Sequence, residues 1–420
     1  MRVANRERSP SERVVITGLG VISPVGNDPA VAWNALLEGR SGTGPITRFD
    51  ATGFDSTIAG EVKDFDPREH LAAKAARRVD RYVQFAVAAA RQALLGAGLT
   101  ISEANRDRIG VLIGTALGGI ETAERELRTL SERGPGRVSP FFIPMFLGDM
   151  GAGYVAIELG ARGPNFATLS ACASGAHALG EATEIIRRGA ADVMLAGAAE
   201  AAVTPGSVAG FAALGALSTR NDEAQTASRP FDATRDGFVV AEGAAVLVLE
   251  RLDYAEARGA RPLAELSGYG ATADANHITQ PAPGGVGAAE AMRGAIAGAG
   301  LTPVQIDYIN AHGTSTPLND RLETEAIKRV FETTPTPVSS TKALTGHLVG
   351  AAGALEAVFS IQSLSQQTIP PTWHLRVPDP ACDLDYVSEG PRAARLRHVL
   401  SNSLGFGGHN VALVFSRVEE

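Results

Sequence analysis

Cysteine is almost missing from this chain: Cys172 and Cys382 are the only two in 420 residues. That excludes a disulfide framework and a cysteine-rich zinc module, and it fits a reducing compartment. No two of the eight histidines stand four residues apart, so the helical zinc motif is absent as well. Lysine occurs four times, at Lys63, Lys74, Lys328 and Lys342, and arginine carries the rest of the positive charge. Net charge is −8, so the chain as a whole is no polyanion binder and no nucleic-acid partner is expected. No apolar run reaches the roughly 18 residues of a membrane span, so no membrane association is expected. The start, "MRVANRERSPSE", is basic but has no apolar core and does not read as a secretory signal. Residues 1–12 are expected to form a flexible leader, and the protein is expected to be cytoplasmic. The Walker loop is absent, and "GLGVIS" lacks the third glycine of a dinucleotide fingerprint.

What is present is a rhythm. Short β-branched runs alternate with Ala-rich amphipathic segments. "RVVITGLG" reads as a strand ending in a glycine turn, and "VDRYVQFAVAAARQALLGAG" as a helix with a glycine stop. Buried strands are expected at 108–119, 191–201 and 243–252. The alternation then resumes, with a helix at 287–297, a strand in "IDYINAHG", a helix around 320–331 and a last strand in "NVALVFSR". This pattern is that of an α/β protein whose sheets are covered by helices. The restart near residue 260 points to two similar halves, 13–260 and 261–420, although their sequences do not visibly align. No low-complexity linker separates them, so one compact unit is expected.

Four stretches carry reactive residue types. In "FATLSACASGAHALGEATEIIRRG", a short strand is expected over "FATLSA", with Cys172 at the turn into a helix. A helix N-terminus favours a thiolate and lowers its pKa. A free cysteine among small residues is more often a buried filler, and the residues of this stretch alone favour that reading. His312, in "NAHGTSTPLND", follows an apolar strand, where α/β proteins place catalytic groups; Thr314 and Thr316 add hydroxyls. In "SSTKALTGHLVGAAGALEA", Lys342 precedes His347 by five residues, and an exposed lysine near a helix start remains an open reading. "SNSLGFGGHN" places Phe406 in a glycine-rich turn before the last strand. Cys382, in the polar loop "DPACDLDYV", reads as structural.

Together these blocks resemble the condensing enzymes of the thiolase superfamily, specifically the β-ketoacyl-[acyl-carrier-protein] synthase II group. The likeness runs from "VVITGLGVISPVGND" to "GFGGHNVALVF", with HGTSTP, K-x3-GH-x2-GAAG and GFGG in the family's order. It implies a thiolase-like fold, with duplicated βαβαβ halves layered α-β-α-β-α, the nucleophilic cysteine in the first half and the other blocks in the second. Cys172 would take an acyl group from acyl carrier protein. His312 and His347 would bind the malonyl thioester carbonyl and stabilise the enolate. Lys342 would fix His347, with Glu356 in support. Backbone N–H groups of Cys172 and Phe406 would form the oxyanion hole, and Phe406 would gate the acyl pocket. Thr314 and Thr316 would touch the phosphopantetheine arm. Leu117, Phe211 and Leu404 would line the acyl pocket, with Leu117 where isoleucine is common and Leu404 where phenylalanine is. Lys74, Arg77, Arg78 and Arg137 would dock the carrier protein, although Gly136 and Gly215 stand where an arginine is frequent. No metal or other cofactor is implied, because the carrier protein brings the phosphopantetheine.

A second likeness, carried by "RPFDATRDGFVVAEGAA", "PLNDRLETEAIKR" and "DPACDLDYV", is to ketosynthase subunits of actinobacterial type II polyketide synthases. Those pair with a chain-length-factor homologue that lacks the cysteine. The expected assembly is therefore a homodimer or such a heterodimer, and fatty-acid and polyketide pathways both stay open. A degradative thiolase would need a second cysteine in the C-terminal glycine turn, and "GFGG" has none. A non-catalytic scaffold subunit would have lost Cys172.

Overall fold

The computed structural model describes residues 9–332 and 334–418. Of the leader read over residues 1–12, residues 1–8 lie outside the described residues. Ser9 caps a short turn over Pro10–Glu12, its backbone N–H donating to the Glu12 carboxylate at 3.0 Å.

Ten strands form one ladder: β1 (Val14–Ile22), β2 (Ile109–Gly114), β3 (Asn165–Phe166), β4 (Val193–Glu200), β5 (Gly243–Arg251), β6 (Ala264–Ala273), β7 (Tyr308–Asn310), β8 (Val338–Ser339), β9 (His398–Gly405) and β10 (His409–Ser416). Their spatial order is β8-β7-β9-β10-β6-β1-β5-β4-β2-β3. The two ends of this ladder repeat one pattern. From β3 inward, β3, β2 and β4 pair parallel, and β5 and β1 follow antiparallel. From β8 inward, β8, β7 and β9 pair parallel, and β10 and β6 follow antiparallel. Among the described residues the two five-strand units pair where Val15 and Ile16 of β1 meet Glu265 and Ala264 of β6. The duplication that the sequences hide is plain in the topology.

Helices fill three layers. Helix α1 (Arg81–Ala97) starts at an Asp80 cap and stops at Gly98, whose φ of 58° is the left-handed conformation that favours glycine. With α3 (Met150–Leu159) it covers the outer face of the first unit. Helices α6 (Val286–Gly298) and α7 (Pro317–Phe331) lie outside the second, α6 directly on its sheet and α7 against α6. Between the sheets pack α4 (Ser174–Arg187) and α8 (Ala352–Gln366). Their small and aliphatic residues, among them Ala176, Leu179, Ala354 and Val358, join both units in one apolar core. The remaining helices needed below are α2 (Ile120–Arg133) and α5 (Pro205–Ala213).

Three sequence expectations change, the first being that the strand expected over 108–119 ends at Gly114. The glycines of "RVVITGLG" make no turn: β1 runs through Gly18 and Gly20 to Ile22. A Cβ on Gly20 would collide with the Ala89 carbonyl of α1, so these glycines let helix and strand approach. The strand expected over "FATLSA" is only Asn165–Phe166, and the chain then turns irregularly toward Cys172.

Candidate functional site

The nucleophile-type residue comes from the first unit and its surroundings from the second. Cys172 sits in a tight turn, Ala171–Ala173, that runs directly into α4. Ala171 holds φ of 50°, a strained conformation for a non-glycine residue. The Ser174 hydroxyl braces the turn, accepting from Ser170 N at 2.9 Å and facing the Thr115 carbonyl at 3.0 Å. His312, Lys342 and Phe406 each follow the C-terminal end of a second-unit strand, β7, β8 and β9, as expected for a site in an α/β protein.

The GFGG turn lies against the cysteine turn. A Cβ on Gly405 would stand 2.6 Å from the Ser170 carbonyl oxygen, so only glycine allows this approach. The backbone N–H groups of Phe406 and of Cys172 itself thereby come close enough to act on the Cys172 sulfur. Burial pushes the thiol up to about 11, outweighing the Lys342 charge and these N–H groups, which lower it. The lowered pKa read from the helix start is therefore corrected: the resting group is a thiol.

The two histidines face each other edge to face, ring centroids 5.4 Å apart at 83°. Burial drives both imidazoles well below the usual 6.5, and the Lys342 charge adds to this, so both are neutral. Lys342 is itself buried and ion-paired to Glu356. Its ammonium donates to the His312 carbonyl at 2.5 Å and faces His312 Nδ1 at 3.5 Å. An ammonium has no acceptor, so Nδ1 must accept, which leaves the His312 proton on Nε2. The resemblance had Lys342 fixing His347; its bonds go to His312, and it acts on His347 through its charge alone. His347 is tied by its backbone to Val239 at 2.8 Å, with its ring against Phe238. Its Nδ1 is buried with no hydrogen-bond partner among the described residues. Burial lifts the Glu356 carboxyl to about 7 despite the Lys342 charge.

Cys172, His312, Thr314, Thr316, His347, Phe211, Leu404 and Phe406 all line one cavity of about 280 Å³. Thr314 and Thr316 share a hydrogen bond of 2.9 Å at its wall. Phe211 and Leu117 pack in the apolar cluster that holds Cys172, but Leu117, expected on the acyl pocket, does not line this cavity; Leu404 lines it and packs in the cluster of the second unit. Lys74, Arg77, Arg78 and Arg137 are exposed, Arg78 lying over the Phe141 ring at 4.6 Å. Cys382 is buried in a turn in the second unit's core, apart from the site.

Sequence reasoning missed two carboxylates. Glu323 accepts from the backbone N–H groups of His312 and Gly313, both at 2.8 Å, and from Asn402 at 3.2 Å. Glu200 closes β4, fully buried. The available signal was a charge ending an otherwise apolar run, "VMLAGAAEA".

A helix-capped thiol, two convergent backbone donors and two neutral imidazoles on one cavity suit acyl transfer through a thioester. The repeated half-sheets and this donor set define a thiolase-like ketosynthase. Residues 11–255 match the family described as "Beta-ketoacyl synthase, N-terminal domain", and residues 263–376 match "Beta-ketoacyl synthase, C-terminal domain". The chain belongs to the β-ketoacyl synthase family. It is 50% identical over 419 residues to the 3-oxoacyl-[acyl-carrier-protein] synthase 2 of Synechocystis sp., covering 99% of this chain and 100% of that protein. It is also 50% identical over 413 residues to the synthase of the same name from Staphylococcus aureus strain COL, covering 98% and 100%. Among solved structures, a β-ketoacyl synthase from Burkholderia phymatum superposes with a TM-score of 0.92 at 38% identity, over 97% of this chain and 100% of that one. The ishigamide ketosynthase/chain length factor gives 0.91 at 37%, over 97% and 99%. A type II polyketide synthase acyl-carrier protein in complex with its hexaketide-bound ketosynthase gives 0.90 at 36%, over 97% and 99%.

Proposed function

We propose that this chain is a β-ketoacyl-[acyl-carrier-protein] synthase, joining a Cys172-bound acyl chain to a malonyl unit by decarboxylative Claisen condensation. The observation that carries this reading is the Cys172 thiol under the Phe406 and Cys172 N–H groups, on one cavity with two neutral histidines.

The Cys172 sulfur attacks the thioester carbonyl of an acyl carrier protein. The two N–H groups beside the thiol take up the developing oxyanion. The thiol proton leaves with the departing phosphopantetheine thiolate, so a thiol pKa of about 11 requires no dedicated base. The malonyl carrier protein then enters past Thr314 and Thr316. The N–H edges of His312 and His347 hold its thioester oxygen while carbon dioxide departs. Neutral donors stabilise the enolate without quenching it by proton transfer. The carbanion attacks the Cys172 thioester, and the cysteine thiolate leaves, taking a proton from solvent to restore the resting thiol. No metal or resident cofactor enters this sequence of steps.

Lys74, Arg77, Arg78 and Arg137 form the basic docking surface for the carrier protein, complementary to an acidic partner. The β3 edge, with its own Phe166 40% and the nearby Leu169 60% exposed, supports pairing with a second subunit. Among the described residues no helix is long and apolar enough to cross a membrane, which accords with a cytoplasmic enzyme. The 50% identity to two 3-oxoacyl-[acyl-carrier-protein] synthase 2 proteins favours the homodimer reading. The second reading is a polyketide ketosynthase subunit with a chain-length-factor partner, favoured by the likeness to such complexes. Incubation with acyl and malonyl carrier proteins tests the activity: β-ketoacyl carrier protein and carbon dioxide are expected in equal amounts. Product from the purified chain alone supports the homodimer, and product only after co-expression with a homologue supports the second reading. No product in either case refutes both.

A further inference from the structure

Glu200 takes no part in the steps above, yet it is a fully buried carboxylate beside them. Four donors converge on it. Its Oε1 accepts from Thr115 Oγ1 at 3.1 Å and Leu117 N at 3.2 Å. Its Oε2 accepts from Ala116 N at 2.7 Å and Gly350 N at 3.1 Å. Burial still lifts its carboxyl to about 7.

These donors belong to two separate segments of the chain. Thr115–Leu117 is the turn from β2 into α2, and Ala116 and Leu117 pack on the apolar cluster holding Cys172. Gly350 lies three residues after His347, beside Val349, which belongs to the same cluster and lines the cavity. Val349 holds φ of 47°, strained for a β-branched residue, so something must keep this turn in place. Gly350 has no room for a side chain: a Cβ would stand 2.6 Å from Glu200 Oε2 and 2.5 Å from Ala116 N. One carboxylate thus pins the Thr115–Leu117 turn, packed on the cluster of Cys172, to the segment carrying His347, and its charge acts against a thiolate at Cys172.

We propose that Glu200 is a positioning residue for acyl transfer, setting the shape of the acyl pocket at Ala116–Leu117 by holding it to Gly350. This rests on the reading of Cys172 as the acyl acceptor. In Glu200→Gln an amide NH2 replaces one acceptor and faces a backbone N–H, so one segment is released. The charge near the thiol is lost as well.

The test uses the full-length protein, with Cys172 acylation from octanoyl and palmitoyl carrier proteins followed by intact mass. The ratio of the two rates is expected to change about tenfold in Glu200→Gln, the order set by one unpaired buried N–H. Iodoacetamide labelling of Cys172 is expected to shift to lower pH, which a merely structural role would not cause. Glu200→Asp keeps the charge but shortens the reach: its chain-length ratio should change while its labelling profile stays put. That variant decides the matter if Glu200→Gln does not fold. A folded variant with the wild-type ratio overturns the proposal. Wild-type protein that takes no acyl group at Cys172 overturns the underlying reading instead, so the two failures are distinct.

Discussion

The Lys342 ammonium donates to the backbone carbonyl of His312 at 2.5 Å and faces the Nδ1 of the same residue at 3.5 Å, while ion-paired to Glu356. One buried cation therefore fixes the position, tautomer and charge state of one imidazole. Lys342→Met should abolish condensation and cost about 3–5 kcal/mol of stability, because it strands a buried carboxylate. Adding Glu356→Leu should recover part of that stability but no activity. Urea denaturation of the four proteins in the cycle checks this. Equal stability of wild type and Lys342→Met contradicts it.

The buried histidines also set a pH dependence. Their folded-state pKa values lie below the ordinary 6.5, so as pH falls through 6.5 the unfolded chain takes up protons first. Their contribution to stability is present above that value and is lost below it. Glu200 and Glu356, lifted from 4.5 to about 7, act in the opposite sense: their contribution is present below 4.5 and fades as pH rises toward 7. His347→Ala removes one histidine and leaves both carboxylates. Its urea midpoint should fall less than that of the wild type between neutral and mildly acidic pH. An identical slope contradicts a neutral buried His347.

Cys172 rests as a thiol, with its pKa pushed up to about 11. Its iodoacetamide labelling rate should keep rising with pH and show no plateau below the ordinary thiol value of 9.0. A plateau near neutral pH would mean that the helix start, and not burial, governs this sulfur.

Gly20→Ala should cost about 1–3 kcal/mol or more by overpacking, since its Cβ meets the Ala89 carbonyl. Thermal denaturation reads this directly. An unchanged Tm contradicts the close contact between β1 and α1.

That glycine shows where sequence reading stops. A glycine in a turn and a glycine under a helix look alike in the sequence; only the packing separates them. Helix α1 was legible because cap, apolar face and Gly98 stop are all local. Cys172, His312, Lys342, His347 and Phe406 were legible because four motifs stood in a family's order. Glu200 and Glu323 were not, because their donors come from residues far apart in sequence, 115–117 and 350 in one case. The sign of the thiol shift was missed for a related reason. A helix start is visible in the sequence, but the burial that outweighs it belongs to the assembled fold. The strand expected over "FATLSA" failed because the chain there bends to carry the strained Ala171 turn.

The central claim is that Cys172 carries the acyl chain. Intact mass spectrometry after incubation with acyl carrier protein tests it most directly. Wild-type protein should gain the mass of one acyl group and lose it again when malonyl carrier protein is added, with β-ketoacyl carrier protein appearing. Cys172→Ala, equally folded, should gain nothing. Acylation of Cys172→Ala to the wild-type extent would contradict the account.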